Sequence, residues 1–183
     1  MYTLQYQLGD AVKTLTVTEA RLEDASDLMA DALLLMIRST QLNFEEQGRP
    51  QPFYPLAQST IDKRLGVSAG KFAGGSGKSA VKKQNKYFAM VGAIQILRDT
   101  GLLMQSLGAG SSGAFEAADG FGESDKTSAT LGTNRPGADA LQTGYAPNNL
   151  PAREYVLFQE QDDEDLLAMA EDFFTASGPY ASV

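Results

Sequence analysis

The apolar pattern of this chain predicts an α+β fold. A small, mostly antiparallel sheet is packed by a long N-terminal helix and a C-terminal helix, with long flexible loops between them. Three observations carry that expectation. Leu22, Ala25, Leu28, Met29, Ala32, Leu33, Met36 and Ile37 keep the three-and-four spacing of one helical face. Leu166, Leu167, Met169, Ala170, Phe173 and Phe174 keep it again near the end of the chain. Residues 2–17 and 150–158 alternate instead, as half-buried strands do.

Taken in order, YTLQYQLGDAVKTLTV (residues 2–17) forms two short alternating runs around Gly9-Asp10, a β-hairpin pattern. Thr18 fits an N-cap, and Glu19, Glu23 and Asp24 sit early in the helix that follows, where its dipole favours acids. That helix stops before FEEQGRPQPFYP, because Gly48, Pro50, Pro52 and Pro55 forbid continuation. Pro55 suits the first turn of a second helix, PLAQSTIDKRLG, and Gly66 suits its end. Residues 67–85 are rich in Gly, Ser, Ala and Lys and read as a basic flexible insertion. A third helix is expected over Lys86–Arg98, with Phe88, Val91, Ile94 and Leu97 inward, broken by Asp99–Gly101. Residues 108–129 read as a Gly/Ser-rich flexible loop, Ser128–Thr133 as a short strand and Leu150–Phe158 as another. A last helix runs over Asp163–Phe174, with the acids Asp162–Asp165 favouring its N-terminus. One domain over 1–183 accommodates all of this.

Composition removes most chemistry. The chain has no Cys, His or Trp among 183 residues, which excludes disulfides, thiolate zinc sites and any imidazole base. A metal would need oxygen ligands alone, hence calcium or magnesium. Neither EAADGFGESD (Glu116–Asp125) nor QDDEDL (Gln161–Leu166) has calcium-loop spacing, and no catalytic constellation emerges. No metal, no cofactor and no enzymatic activity are expected. No apolar run is long enough for a membrane span, and the first residues lack a secretory pattern, so synthesis in the cytoplasm is expected.

GKFAGGSGKS (Gly70–Ser79) ends like a phosphate-binding loop, but the first glycine that loop requires would stand at Phe72, and IDKRLGVSAGK upstream is not an apolar strand. What remains is charge. Lys63–Lys86 holds seven basic residues and no acid, whereas Glu154–Asp172 holds eight acids and no base, on a chain of net charge −8. Each run is either a plain solvated surface or one half of a contact between copies or with other partners. Non-specific DNA binding through residues 63–86 is the alternative, with only Phe72 and Tyr87 as stacking partners and the overall charge opposing it.

Four segments, in order, resemble the phage virion morphogenesis, or tail-completion, family. FEEQGRPQPFYPLAQSTIDKR (Phe44–Arg64) is similar to that family's Gly-x-Pro and aromatic-x-x-Leu preceding Thr and Arg. ILRDTGLLMQSL (Ile96–Leu107) matches its Ile-Leu, Thr-Gly, Leu, Ser series. LGTNRPGADALQTG (Leu131–Gly144) stands at its Gly-Thr strand end and Tyr-Ala…His-Gln…Gly stretch, with Asp139-Ala140 in place of Tyr-Ala and Leu141 in place of His. LPAREYVLF (Leu150–Phe158) resembles its Pro-Ala-Arg-x-aromatic-Leu strand. The resemblance spans 18–174, with the flexible regions as insertions.

The resemblance implies a non-enzymatic virion protein of the head–tail junction, a neck or tail-terminator protein. It would form a homo-oligomeric ring, with a hexamer the expected number, against tail-tube and connector or neck proteins. Its place would be the virion, with the host cytoplasm before assembly. On that reading Lys71, Lys78, Lys82, Lys83 and Lys86 reach a neighbouring subunit or DNA in the lumen. Pro151, Arg153 and Tyr155 serve the fold or a subunit contact.

Overall fold

The computed structural model describes residues 9–66, 90, 92, 94–108 and 119–175. In chain order these form α1 (Gly9–Glu23), α2 (Ser26–Glu45), α3 (Gln58–Arg64), α4 (Leu102–Ser106), β1 (Gly120–Ser124), β2 (Ala129–Thr133), α5 (Ala138–Thr143), a 3-10 turn (Ala146–Asn148) and α6 (Glu160–Thr175). Helices with one two-stranded antiparallel sheet make the fold α+β, as expected. Helix α2 packs against both strands and against α6, and α6 also packs against α1.

At the N-terminus the structure departs from the hairpin expected over 2–17. Residues from Gly9 onward are helical, while 2–8 lie outside the described residues. The alternation misleads because Ala11 and Val12 also stand four and three positions before Leu15, a spacing that serves a helix equally. The long helix expected from Thr18 is two helices. Asp24 ends the first by turning back on the second: its Oδ1 accepts from the Ser26 amide (3.1 Å) and hydroxyl (2.5 Å). The Ala25 amide donates to the Lys126 carbonyl at 3.1 Å, so the start of α2 is tied to the β1–β2 turn. Lys126 Nζ lies 2.8 Å from Asp24 Oδ2. That lysine, and then Ser26, hold the Asp24 carboxyl down at about 2.

Helix α3 begins at Gln58 rather than Pro55 and ends as expected before Gly66, whose φ of +63° is the left-handed conformation of a helix stop. The helix expected over Lys86–Arg98 does not continue through 94–98, and most of 86–93 lies outside the described residues. Here side chains capture the backbone that a helix would have used. The Ile96 amide donates to Gln47 Oε1 (2.5 Å), the Gln95 carbonyl accepts from Arg64 (2.9 Å), and Leu97 turns the chain at φ 62°.

The loop expected over 108–129 contains β1, paired antiparallel to β2 from Gly120↔Thr133 to Ser124↔Ala129; residues 109–118 lie outside the described residues. Glycine makes this strand instead of breaking it. A Cβ on Gly120 would run into the Ser106 carbonyl, and one on Gly132 into the Phe121 ring, so the hairpin docks at backbone distance. Asp125 Oδ1 closes the turn by accepting from the amides of Thr127 (2.7 Å) and Ser128 (2.8 Å).

Residues 151–158 are irregular, with a bend at Val156, and are not the expected strand. Backbone pairing is confined to its start, where Leu150 bridges Tyr145 and the Arg153 amide donates to the Leu141 carbonyl (2.8 Å), and side chains take up much of the rest. Gln142 Oε1 accepts from the amides of Tyr155 (3.0 Å) and Val156 (3.1 Å), and Asn43 Nδ2 donates to the Tyr155 carbonyl (3.1 Å). Helix α6 starts at Glu160 rather than Asp163. Of the acids at its start, Asp162 acts specifically, accepting from the Gln159 amide at 2.9 Å as the returning arm of a capping box.

The larger core gathers Phe44, Phe53, Leu97, Leu103, Leu107, Ala138 and Tyr155, with the Phe44 and Tyr155 rings 5.7 Å apart. A smaller cluster joins Ala25, Leu28 and Phe173. No helix among the described residues is long and apolar enough to cross a membrane.

Candidate functional site

Two features of the polar architecture are candidates for function. The first is a buried lock. Asn43, fully buried on α2, donates to the Tyr155 carbonyl and accepts at Oδ1 from Arg49 Nε (3.0 Å). Ser39, one turn earlier, donates to Asp162 Oδ2 (2.5 Å) and accepts from Arg49 (2.9 Å). Arg49 stands 3.9 Å from Asp162, and Gln159 Nε2 donates to the Arg49 carbonyl (3.0 Å). Charge meets charge in a satisfied network, which fastens the cis Arg49-Pro50 loop and the start of α6 to α2. It is a structural device with no free group to react.

The second is a groove of about 650 Å³ between the loop before α3, the turn before α4, and the 148–153 segment. Leu56, Leu97, Leu103, Leu141 and Leu150 give it apolar walls. Its charged lining is three arginines, Arg64, Arg135 and Arg153, against one acid, Asp99. Arg64 pairs with Asp99 at 3.3 Å and Arg135 with Asp119 at 3.1 Å. Arg153 is different. It is only 5% exposed, and its guanidinium donates to two carbonyls, those of Tyr54 (2.8 Å) and Pro55 (3.1 Å). No carboxylate of the described residues lies within ion-pair range of it. Burial, and beyond it the Arg64 charge, pull its pKa below the ordinary value. A concave surface with this balance favours an anionic occupant with apolar side chains.

Of the residues singled out from sequence, Pro151 and Arg153 line this groove. Tyr155 does not: it is 3% exposed in the core, its hydroxyl donates to the Ala138 carbonyl (2.9 Å), and burial with the Asp139 charge raises its pKa to about 12. Lys71, Lys78, Lys82, Lys83 and Lys86 lie outside the described residues, as does Gly70–Ser79. Sequence reasoning placed Arg64 only within a basic run and passed over Arg135, Asn43, Ser39 and Arg49. Arg135 had a signal in its Pro136-Gly137 neighbour, which marks a turn. Asn43 had one as a polar residue, with Ser39 and Thr40, on the same helical face as Leu28, Ala32 and Phe44.

Comparison with protein families, with curated proteins and with solved structures finds no match to this chain.

Proposed function

We propose that this chain is a structural subunit of a phage head–tail junction. It assembles as a homo-oligomeric ring, a hexamer in the simplest case, that completes or terminates the tail and joins it to the connector. Its place is then the virion, and it works by contact, without a catalytic step.

One observation supports the reading above the others. The four separated segments that resemble tail-completion proteins are the segments that meet in a single core. Phe44 stacks near Tyr155, Arg153 holds the carbonyls of Tyr54 and Pro55, the Arg153 amide donates to the Leu141 carbonyl (2.8 Å), and Leu97, Leu103 and Leu107 fill the space between them.

The test is negative-stain microscopy and light scattering on the purified full chain, with mass spectrometry of purified virions. A ring with an axial opening, and the protein in virions, is the expected result. A monomer at all concentrations that is also missing from virions sinks the reading. Salt-sensitive retention of duplex DNA that disappears with Lys78→Ala, Lys82→Ala and Lys83→Ala would instead make it a DNA-binding accessory protein acting through residues 63–86.

A further inference from the structure

The groove has a counterpart on the same chain. Leu167, in the middle of α6, is 70% exposed although it is a large apolar residue. Asp163, Glu164 and Glu171 stand four and three positions before it and four after it, which places them around it on one helical face. All three are exposed. Phe173 and Asp162 turn the opposite face of α6 into the protein, so the Leu167 face points outward. The molecule therefore shows an apolar knob ringed by carboxylates and an apolar hollow with three guanidinium groups, two of them already paired with Asp99 and Asp119.

We propose that the arginine groove of one copy receives the outward face of α6 from the next copy. Leu167 enters between the groove's leucine walls, and Asp163, Glu164 and Glu171 meet Arg64, Arg135 and Arg153. This inference rests on the reading of the chain as a self-assembling subunit and names the two surfaces that meet.

Charge complementarity argues for this occupant. Among the described residues Arg153 is a nearly buried cation held by the carbonyls of Tyr54 and Pro55, and a carboxylate within reach would relieve it. The α6 region supplies acids and no base over Glu154–Asp172, so approach to the groove meets no opposing cation. Because Leu167 is exposed in its own chain, the knob that fills a groove comes from another copy. Two different patches make the contact heterologous, which repeats head to tail and closes into a ring when the rotation allows.

The chain has no native cysteine, so cross-linking can be aimed. Ser59 lines the groove and Ala168 adjoins the knob; both are exposed, so Ser59→Cys and Ala168→Cys leave the interior untouched. The two full-length variants are mixed under mild oxidation and the disulfide-linked dimers are separated. The mixed dimer is expected to exceed either self-linked dimer severalfold. Adding Leu167→Ser to the Ala168→Cys protein should remove that excess. So should 1 M NaCl, where the screening length falls to about 3 Å. Random proportions of the three dimers overturn the contact, and so does an excess indifferent to Leu167→Ser or to salt. A ring seen for the unaltered protein together with random cross-linking leaves the ring reading standing and removes this interface. Selective cross-linking by a protein that never closes into a ring does the reverse.

Discussion

Phe44 and Phe173 each anchor an apolar cluster against α2, but the two are built on opposite plans. Around Phe44 the partners come from five stretches of chain, several of them irregular, and buried side chains hold the backbone between them. Asn43, Ser39, Gln142 and Arg153 do work that a sheet would otherwise do, supplying donors and acceptors to extended segments in the interior. Around Phe173 only helix ends meet. Arg21 stacks on the ring with its carbon 5.2 Å from the centroid and donates to the Phe173 carbonyl. The neighbouring Asp24–Lys126 tie is a surface ion pair, a class that solvent and salt screen and that adds little to stability. The contrast teaches that irregular backbone can occupy a core when side chains capture it, and that regular helices alone can leave a weaker corner.

The largest effect should come from the first cluster. Phe44→Ala removes a fully buried ring and is expected to cost about 3–5 kcal/mol in denaturant unfolding, with loss of amide protection throughout α2–α5. Phe173→Ala should release amide protection in α1 and the end of α6 while α2–α5 stay protected; equal global loss from both variants breaks the comparison.

Next in size is Asp162→Ala, which leaves Arg49 and the Ser39 hydroxyl without their carboxylate and uncaps α6. A loss of about 2–3 kcal/mol is expected by the same denaturant measurement. A neutral result would mean that the lock holds nothing.

Tyr155→Phe is smaller, about 1 kcal/mol near neutral pH, because the Ala138 carbonyl loses its donor while the ring stays. It also has a pH signature. The folded-state pKa of Tyr155 is raised from 10.0 to about 12, so its contribution is complete below 10 and declines as pH rises toward 12. Stability measured across that window should fall in the unaltered protein and fall less in Tyr155→Phe.

The smallest effect belongs to the weaker corner. Asp24 is lowered from 3.8 to about 2, so its contribution is complete above 3.8 and disappears as pH falls through about 2. Asp24→Asn should flatten that acid limb, read by hydrogen exchange at the start of α2. An unchanged limb would show that the tie to Lys126 is idle.

The helices most visible in the sequence were α2, by its apolar spacing, and α6, by apolar spacing and acids at its start; the N-cap read at Thr18 and the acids Glu19 and Glu23 fall inside α1 instead. The break between α1 and α2 was hidden, because Leu22, Ala25 and Leu28 continue one helical stripe across it, while the Asp24–Ser26 turn and the distant Lys126 carbonyl divert the chain. Strand β1 was hidden because its glycines, which read as loop, are what close docking requires. The alternation of 150–158 suggested a strand that does not form, because Gln142 nearby and Asn43 more than a hundred positions away take up its backbone groups. The groove was half legible: Pro151 and Arg153 were singled out, but the convergence of Arg64 and Arg135 on them is a product of tertiary folding.

The lock between α2 and α6 also sets when this protein can fold. Asn43 finds the Tyr155 carbonyl 112 residues later, and Ser39 finds Asp162 123 residues later. A nascent chain emerging from the ribosome therefore carries α2 with these interior polar groups bare until the 155–162 stretch has been made. Prematurely ended products lack the partners that close the core and expose apolar surface to chaperones and proteases. Closure of the core therefore waits on the 155–162 stretch, however early the helices before it have formed.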